Sequence, residues 1–293
     1  MAEFLVKDED LAGLKGKVVI ITGTYKVDKS SPWKQPATPG QSLADAFHSP
    51  SVVNGDIQPP TESLAGSLTF VQTNVAVWSD LVALFKKAKE VHGRIDSVFA
   101  NAGVGPRADY LSTEVDENGD LKEPTHSLFD VSLKGVINTA TLAIFYLRQQ
   151  PEGGNIVING SSTGIQRMRA VDYSTAKHGT LGLGRSLTAL INAAGLPIRV
   201  NTLAPAWTDS QVLPNLKVMM EAIGVAVQPA SSVARGAALV MVDSSRHGNV
   251  IYIEQGKYKE IDDAILLPAH AKSIISAGYP LEDEVLARLM ALQ

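Results

Sequence analysis

Short runs of apolar residues alternate with longer amphipathic segments along most of the chain. Several of the short runs are continuously apolar and rich in β-branched residues, which is typical of strands covered on both faces in a parallel sheet. The predicted strands cover residues 17–22, 51–53, 68–73, 95–100, 155–160, 198–204 and 249–254. Because helical segments separate several of these strands, the pattern predicts βαβ units in a doubly wound parallel sheet.

Four helices are predicted from apolar positions that recur every three or four residues. The first covers residues 79–93, where Ser79 is a candidate N-cap and Gly93 can end the helix in a left-handed conformation. The other three cover residues 126–149, 172–194 and 231–243.

Neither an internal repeat nor a linker divides this alternation. The sequence therefore predicts one three-layer α/β domain of the Rossmann type over residues 1–293.

Two segments interrupt the pattern. Residues 24–39 contain three prolines and no apolar periodicity, which predicts a loop. Residues 255–293 follow the last predicted strand and form a C-terminal extension that ends in a short amphipathic segment.

Composition narrows the class of protein. Charged residues make up 19% of the chain and hydrophobic residues 45%, which favours a water-soluble protein with a substantial core. No stretch of about 18 uncharged apolar residues predicts a membrane-spanning helix, and the first ten residues lack the apolar run of a signal peptide. We therefore expect a cytoplasmic protein with no membrane partner.

Charge and cysteine content exclude further classes. A net charge of −4 provides no basic surface for nucleic acid, so we expect no nucleic-acid partner. The chain has no cysteine, which excludes disulfides, thiolate catalysis and cysteine-ligated metals. We predict no bound metal and a small-molecule substrate.

Tyr173 and Lys177 lie four residues apart at the start of a predicted helix, so their side chains share one face. A neighbouring cation favours a phenolate, and Lys177 is therefore expected to lower the pKa of Tyr173 from about 10 towards working pH. A phenol tuned in this way can donate a proton to a carbonyl or accept one from an alcohol. In a chain with seven tyrosines, this pair alone is also compatible with an ordinary surface contact.

Two adjacent serines, Ser161 and Ser162, follow the predicted strand 155–160, at the sheet edge where open α/β sheets bind ligands. A serine hydroxyl here can hydrogen-bond a substrate oxygen and Tyr173 as charge develops. Serines after strands also serve as turn or cap residues. Serine, tyrosine and lysine in this order on successive elements favour a carbonyl/alcohol active site.

The chain resembles the short-chain dehydrogenases/reductases of the compact kind over roughly residues 15–255. The motifs that carry the resemblance are KVVIITG (17–23), FANAGV (99–104), the double serine, YSTAK (173–177) and IRVNTLAPAW (198–207). Two further stretches resemble fungal members that act on metabolites. The resemblance implies an NAD(P)-dependent enzyme that interconverts a secondary alcohol and a ketone on a small to medium apolar metabolite.

The resemblance also implies roles for the site residues. Ser162 would hold the substrate oxygen, Tyr173 would be the acid/base, and Lys177 would bind the nicotinamide ribose and lower the tyrosine pKa. The interval from Ser162 to Tyr173 is slightly shorter than is usual in the family, so Ser161 is the alternative. Ser132 stands where many members have an asparagine that supports a proton relay, and the relay either continues through an added water or is lost.

Asp56 follows the second predicted strand. A carboxylate there accepts hydrogen bonds from the adenosine ribose and repels a 2′-phosphate, which predicts NAD in preference to NADP. An aspartate before Gln58 and the two prolines is also compatible with a simple turn. The resemblance implies further cofactor contacts by Asn74, Val75, Asn101, Ala102, Gly103, Pro205, Thr208 and Ser210.

The first βα turn departs from the family pattern, which has three glycines close together at a phosphate site. Here Gly23 is followed by a glycine only at Gly40. Three interpretations stay open. Loop 24–39 bulges outward and the two glycines still frame the phosphates, or it fills the cofactor groove, or it is an aberrant segment such as unspliced coding sequence. The second case would leave a non-redox isomerase, dehydratase or cyclase, or a binding protein without cofactor.

The segment 207–230 is rich in leucine and methionine, and the family resemblance makes it a substrate cover with Trp207 as the candidate contact. The same residues are also compatible with simple helix packing. The predicted helices 126–149 and 172–194 carry apolar residues on more than one face, and family members pair these helices. We therefore expect a homodimer or homotetramer.

Overall fold

The computed structural model describes residues 3–23, 51–59, 68–210, 212–213, 215–276 and 278–292. The strands are β1 (Val18–Thr22), β2 (Ser51–Asp56), β3 (Leu68–Gln72), β4 (Ser97–Ala100), β5 (Gly154–Asn159), β6 (Ile198–Pro205), β7 (Thr208–Asp209), β8 (Gln228–Pro229), β9 (Val250–Glu254) and β10 (Lys257–Glu260). The helices are α1 (Trp78–His92), α2 (Ser127–Leu147), α3 (Val171–Ala193), α4 (Leu216–Ala222), α5 (Ala230–Val242), α6 (262–274) and α7 (Glu282–Met290).

Eight strands form one sheet in the order β10-β9-β6-β5-β4-β1-β2-β3. Every neighbouring pair is parallel except β9 and β10. The chain order reverses between β1 and β4, which is the point where such sheets bind dinucleotides. The predicted doubly wound parallel sheet is confirmed.

The antiparallel edge strand β10 was not predicted. Of its four residues only Tyr258 is buried, and the remaining ones are two lysines and a glutamate. A strand this short and this charged gives no apolar run, although charged residues are common on edge strands. The segment after β9 therefore begins as part of the sheet.

Strand β2 is twice as long as predicted, because it continues past the apolar run to Asp56. Gly55 is needed within it, since a Cβ there would lie 2.5 Å from the Cδ2 atom of Leu84 in α1. Gly55 also pairs with Thr22, so β1 and β2 end at the same edge of the sheet. Asp56 is therefore the last residue of the strand, level with the end of β1.

The hydrophobic core lies on both faces of the sheet. On one face the strands pack against α5 and an N-terminal 3-10 turn (Glu9–Leu14), with Ile21 and Val240 fully buried. On the other face they pack against α1, α2 and α3, around Phe85 and Ile156. Burial of this kind on both faces accounts for the continuously apolar strands.

Helix α1 ends as predicted, with Gly93 in the left-handed conformation at φ 71°. The predicted N-cap at Ser79 is wrong, because the helix begins one residue earlier and Val77 occupies the N-cap position without a side-chain cap. The Asp80 carboxylate in the first turn instead accepts the backbone N–H of Asn74, at 3.0 Å.

Within the described residues, α2 is the one helix long and apolar enough to cross a membrane by length and composition. Its side chains Val136, Ala140, Ala143 and Leu147 are buried in the core beneath the sheet. These four side chains pack the helix on the core of the domain. Residues 130–134 of this helix form a π-helical turn, a feature that often occurs at functional sites.

Candidate active site

The candidate site lies at the carboxyl ends of β1, β4, β5 and β6, where the predicted serine, tyrosine and lysine converge. Tyr173 and Lys177 occupy the first two turns of α3. The serines follow β5 in a short 3-10 turn, Ser162–Ile165. That turn packs directly on α3, because a Cβ on Gly164 would lie 2.5 Å from the backbone oxygen of Lys177.

The two serines face different ways. The Ser161 side chain lies near enough to the Tyr173 hydroxyl to favour the phenolate and lower its pKa. Ser161 is extended, at φ −171°, and its Oγ also accepts the Thr163 N–H at 3.2 Å. Ser162 is the first residue of the 3-10 turn and is buried. The structure thus places the alternative, Ser161, against the tyrosine in place of Ser162.

Lys177 is held beneath the tyrosine ring. Its Nζ atom lies 5.7 Å from the ring centroid of Tyr173 and donates a hydrogen bond to the backbone oxygen of Asn159, at 2.7 Å. The side chain is 4% exposed, and burial lowers the pKa of Lys177 to about 8. An ammonium with a pKa this close to neutral can release its proton at physiological pH.

The expected fall in the pKa of Tyr173 is not found in this structure. Burial raises the pKa of Tyr173, and the nearby Ser161 side chain offsets only part of that rise. The prediction was wrong in direction because desolvation of the phenol outweighs the favourable contacts. The ammonium of Lys177 faces the ring and the Asn159 carbonyl.

Ser132 lies in the π-helical turn of α2 and is fully buried. Its Oγ accepts the backbone N–H of Val104, at 3.0 Å. A Cβ on Gly103 would lie 3.6 Å from Ser132 Oγ and 3.9 Å from Lys177 Nζ. The absence of a side chain at Gly103 therefore lets the serine hydroxyl and the ammonium border the same small volume.

A chain of amide hydrogen bonds crosses the ends of three neighbouring strands. The Asn159 side chain donates to Asn101 Oδ1, at 2.9 Å, and Asn101 Nδ2 donates to the backbone oxygens of Thr22, at 3.1 Å, and Gly23. Lys177 binds the same chain through the Asn159 carbonyl. Asn159 was missed in the sequence because an asparagine at a strand end is common, and its partner is 58 residues away.

The described residues fit a dinucleotide at the ends of β1 and β2. Gly23 has φ 70°, and a Cβ there would lie 2.5 Å from Ala102 Cα, so this turn is held directly against the segment from Asn101 to Gly103. Asp56 is 5% exposed at the end of β2, and its Oδ1 accepts the Gln58 N–H at 3.1 Å. Gly40 and loop 24–39 lie outside the described residues.

Asn74 and Val75, the predicted adenine contacts, follow β3. The Asn74 side chain is exposed, and its Oδ1 accepts the backbone N–H of Ala76 at 3.0 Å. Val75 is buried against α2, where a Cβ on Gly135 would lie 2.7 Å from its Cγ2 atom. Of the two side chains, only that of Asn74 faces solvent at this edge.

The predicted nicotinamide-side segment runs from the end of β6 into β7. Pro205 is buried as the last residue of β6, and Ser210 is partly buried. The Thr208 hydroxyl donates to the Ala206 carbonyl, at 2.8 Å, and accepts from Gln228 Nε2, at 3.1 Å. The segment is thereby fixed to β8.

The predicted substrate contact, Trp207, is 40% exposed beside that segment. Further on, the backbone of Val212 lies against Gly105, so closely that a Cβ on this glycine would meet the Val212 carbonyl oxygen. The loop after β4 and the segment 207–230 therefore touch. Together they border the side of the site next to the serine turn and α3.

Asp172 was not singled out from the sequence, although it precedes the tyrosine. Its carboxylate is 1% exposed. One oxygen accepts the backbone N–H groups of Arg107, at 2.8 Å, and Ala108, at 3.1 Å, and the other accepts that of Tyr173, at 2.8 Å. The two contacts with the loop span more than 60 residues, so only the folded chain shows them.

The family model described as short chain dehydrogenase matches residues 57–221. The chain is 48% identical over 299 residues to a protein named short-chain dehydrogenase/reductase ascJ from Acremonium egyptiacum, with 99% of this chain and 96% of that protein covered. It is 31% identical over 155 residues to (-)-trans-carveol dehydrogenase from Rhodococcus erythropolis, with 53% of each covered.

Among solved structures, the chain is similar to 3-ketoacyl-(acyl-carrier-protein) reductase from Brucella melitensis in complex with NADH. The TM-score is 0.66 at 18% identity, with 83% of this chain and 98% of that chain covered. At this level of identity the similarity shows the fold.

Proposed function

Because the chain belongs to the short-chain dehydrogenase/reductase family, whose members are NAD(P)-dependent oxidoreductases, we propose that it is an NAD-dependent enzyme that interconverts a secondary alcohol and a ketone. We further propose a small to medium apolar metabolite as the substrate. The observation that carries this proposal is the position of Lys177, whose Nζ atom lies 5.7 Å from the Tyr173 ring centroid, with the Ser161 side chain near the same phenol.

Tyr173 is the proposed acid/base. In the reducing direction its hydroxyl donates a proton to the carbonyl oxygen, and in the oxidising direction it accepts the proton of the alcohol. The Ser161 hydroxyl holds the same oxygen and stabilises the charge that develops on it. When bound, the nicotinamide supplies or accepts the hydride.

Lys177 has two proposed roles. Its ammonium would bind the nicotinamide ribose, and its charge would offset part of the rise that burial causes in the pKa of Tyr173. Because burial brings the pKa of Lys177 to about 8, the ammonium can also pass a proton onwards. The Ser132 hydroxyl, on the other side of Gly103, is the proposed next group in that relay.

The proposed cofactor contacts follow the strand ends. Asp56 would bind the adenosine ribose and disfavour a 2′-phosphate, which supports NAD in preference to NADP. Gly23 and Asn101 would border the turn after β1, which the diphosphate of the dinucleotide would approach. The remaining proposed contacts are Gly40, Asn74, Val75, Ala102, Gly103, Pro205, Thr208 and Ser210.

The proposed substrate lies between the loop after β4 and the segment 207–230. Trp207 is the proposed contact, and the partly buried Leu213, which lies against Gly105, supplies apolar surface in the same segment. An apolar cover of this kind suits a substrate whose recognition depends on shape more than on charge.

We propose a homodimer or homotetramer, supported by the exposed apolar side chains Ile137 and Phe145 on α2. A cytoplasmic location stays a prediction.

Fluorescence titration of the purified chain with NADH and NADPH tests the proposal first. We expect NADH to bind at micromolar concentration. A panel of cyclic and aliphatic secondary alcohols with NAD then tests turnover by NADH absorbance, with Tyr173→Phe as the inactive control. Absence of binding by both cofactors up to about millimolar concentration would overturn the redox assignment and leave the non-redox alternatives.

A further inference from the structure

The buried carboxylate of Asp172 joins two walls of the candidate site. Its three hydrogen-bond donors come from the loop after β4, at Arg107 and Ala108, and from the first turn of α3, at Tyr173. All three are backbone N–H groups at 2.8–3.1 Å, which is good hydrogen-bond geometry. The carboxylate also lies in the first turn of a helix, where negative charge is favourable.

Only a carboxylate satisfies this arrangement. Both of its oxygens accept hydrogen bonds at the same time, one towards the loop and one towards the helix. An amide of the same shape has one oxygen and one NH₂ group. In either orientation of the amide, its NH₂ group faces backbone N–H groups, either those of the loop or that of the helix. A buried N–H group is then left without an acceptor.

The loop anchored by Asp172 borders the reacting groups. It runs from β4 to α2 over residues 101–126, which is longer than most connections within a domain and typical of functional loops. Gly103 adjoins Ser132 and Lys177, and Gly105 touches the backbone of Val212 in the segment 207–230. The anchor at Arg107 and Ala108 follows these contacts directly.

We propose that Asp172 is a positioning residue that sets the place of Tyr173 relative to the substrate-side loop 103–108. The inference rests on the proposed function, and it adds a residue that the serine, tyrosine and lysine set does not contain. A displacement of about 1 Å can lower a rate about a hundredfold. Asp172 can therefore affect turnover without touching the substrate, because it fixes the distance between Tyr173 and the loop 103–108.

Asp172→Asn in the full-length, NADH-binding protein tests the tether. With the best alcohol from the panel, we expect kcat to fall at least tenfold and KM for the alcohol to rise, while the Kd for NADH stays within twofold. Hydrogen exchange should show faster exchange of the Arg107 and Ala108 amides. The matched control is Asp109→Asn, which removes an exposed carboxylate that accepts the Leu111 N–H in the same loop, and it should keep wild-type kcat and KM.

Wild-type kcat and KM in Asp172→Asn would overturn the inference, as would equal losses in the Asp109→Asn control. A parallel loss of NADH binding would also overturn it, because that result indicates general unfolding of the site. If Asp172→Asn does not fold, Asp172→Ser takes its place in the test. The serine hydroxyl can still accept a hydrogen bond from the Tyr173 N–H, but it is too short to reach the N–H groups of Arg107 and Ala108. Failure of the proposed function is distinct, since it appears as absent NADH binding by the wild type.

Discussion

The Lys177 ammonium donates a hydrogen bond to the backbone carbonyl oxygen of Asn159, 2.7 Å away, from a side chain that is 4% exposed. The same asparagine extends its amide to Asn101, which is bonded to the end of β1. Among the described residues, one hydrogen-bond acceptor therefore holds this buried cation at the centre of the site. Such a cation is costly for the fold, and the pKa of about 8 reflects that cost.

Replacing Lys177 with a neutral side chain should make the free energy of unfolding less dependent on pH. The folded-state pKa of Lys177 is about 8 and the ordinary value is 10.5, so between these values the unfolded chain binds more protons than the folded one. Stability should therefore rise with pH across this window. From pH 7.5 to 9.5 this single group contributes a gain of about 2 kcal/mol, and Lys177→Met should lack that gain.

Urea unfolding at several pH values measures the effect as the difference between wild type and Lys177→Met. The variant should be at least as stable as the wild type at pH 7.5, and it should have lost activity. Above pH 10 the raised pKa of Tyr173 acts in the opposite sense, because the unfolded phenol then loses its proton first. Equal pH slopes for the two proteins below pH 9.5 would contradict the prediction.

The two serines should differ in their effect on catalysis. The Ser161 side chain lies near the Tyr173 hydroxyl and lowers its pKa, whereas Ser162 begins the 3-10 turn. Loss of one hydrogen-bond donor to a developing oxyanion costs about a hundredfold or more in kcat. We expect this loss for Ser161→Ala and less than threefold for Ser162→Ala, measured with the best alcohol of the panel.

The pH profile gives a second readout for Ser161. The Ser161 hydroxyl lowers the pKa of Tyr173, so its removal should raise that pKa further. Alcohol oxidation needs the phenolate, and the rising limb of the profile for Ser161→Ala should therefore move to higher pH. A larger loss in Ser162→Ala, with an unmoved profile in Ser161→Ala, would restore Ser162 as the active serine.

Much of the fold follows from local pattern. The seven predicted strands occur in the parallel sheet, and most of them are apolar runs covered on both faces. Strand β10 was missed because only Tyr258 of its residues is buried. The length of β2 was missed because Asn54 and Gly55 interrupt the apolar run, although Leu84 of α1 packs on that glycine.

The site was predicted less completely, for physical reasons. The order of serine, tyrosine and lysine follows from spacing along the chain, but the direction in which Ser161 and Ser162 face depends on the turn after β5. The pKa of Tyr173 depends on burial, which spacing does not reveal. Asp172 acts through backbone N–H groups of a distant loop, and no residue type in that loop signals the contact.

The charge of Asp56 should set the choice between the two cofactors. Its carboxylate ends β2 beside the end of β1, at the place where we propose that the adenosine ribose binds. Asp56→Asn keeps an oxygen that can accept from Gln58 and removes the negative charge. We expect NADPH to bind about tenfold more tightly to the variant, while NADH binding changes less than threefold. Fluorescence titration of both cofactors measures this, and a wild type that binds NADPH as tightly as NADH would contradict it.

Gly23 should be intolerant of any side chain, and Gly16 offers a matched control. Both glycines have positive φ, 70° and 75°, so an alanine at either position has about 1–2 kcal/mol of backbone strain. At Gly16 a Cβ would meet nothing within 4 Å, whereas at Gly23 it would lie 2.5 Å from Ala102 Cα and 2.9 Å from Ala102 Cβ. This contact involves the backbone of Ala102, which cannot move without moving its segment. The end of β1 and the segment after β4 must therefore separate.

Gly23→Ala should therefore lose about 2 kcal/mol or more beyond the loss in Gly16→Ala, measured by urea unfolding at one pH. Because the same separation moves the turn away from Asn101, NADH affinity should fall at least tenfold in Gly23→Ala and stay unchanged in Gly16→Ala. Equal destabilisation of the two variants would mean that the close approach of Gly23 to Ala102 adds nothing to the strain of the backbone. The turn would then be free to move, and its contact with the segment after β4 would not shape the cofactor site.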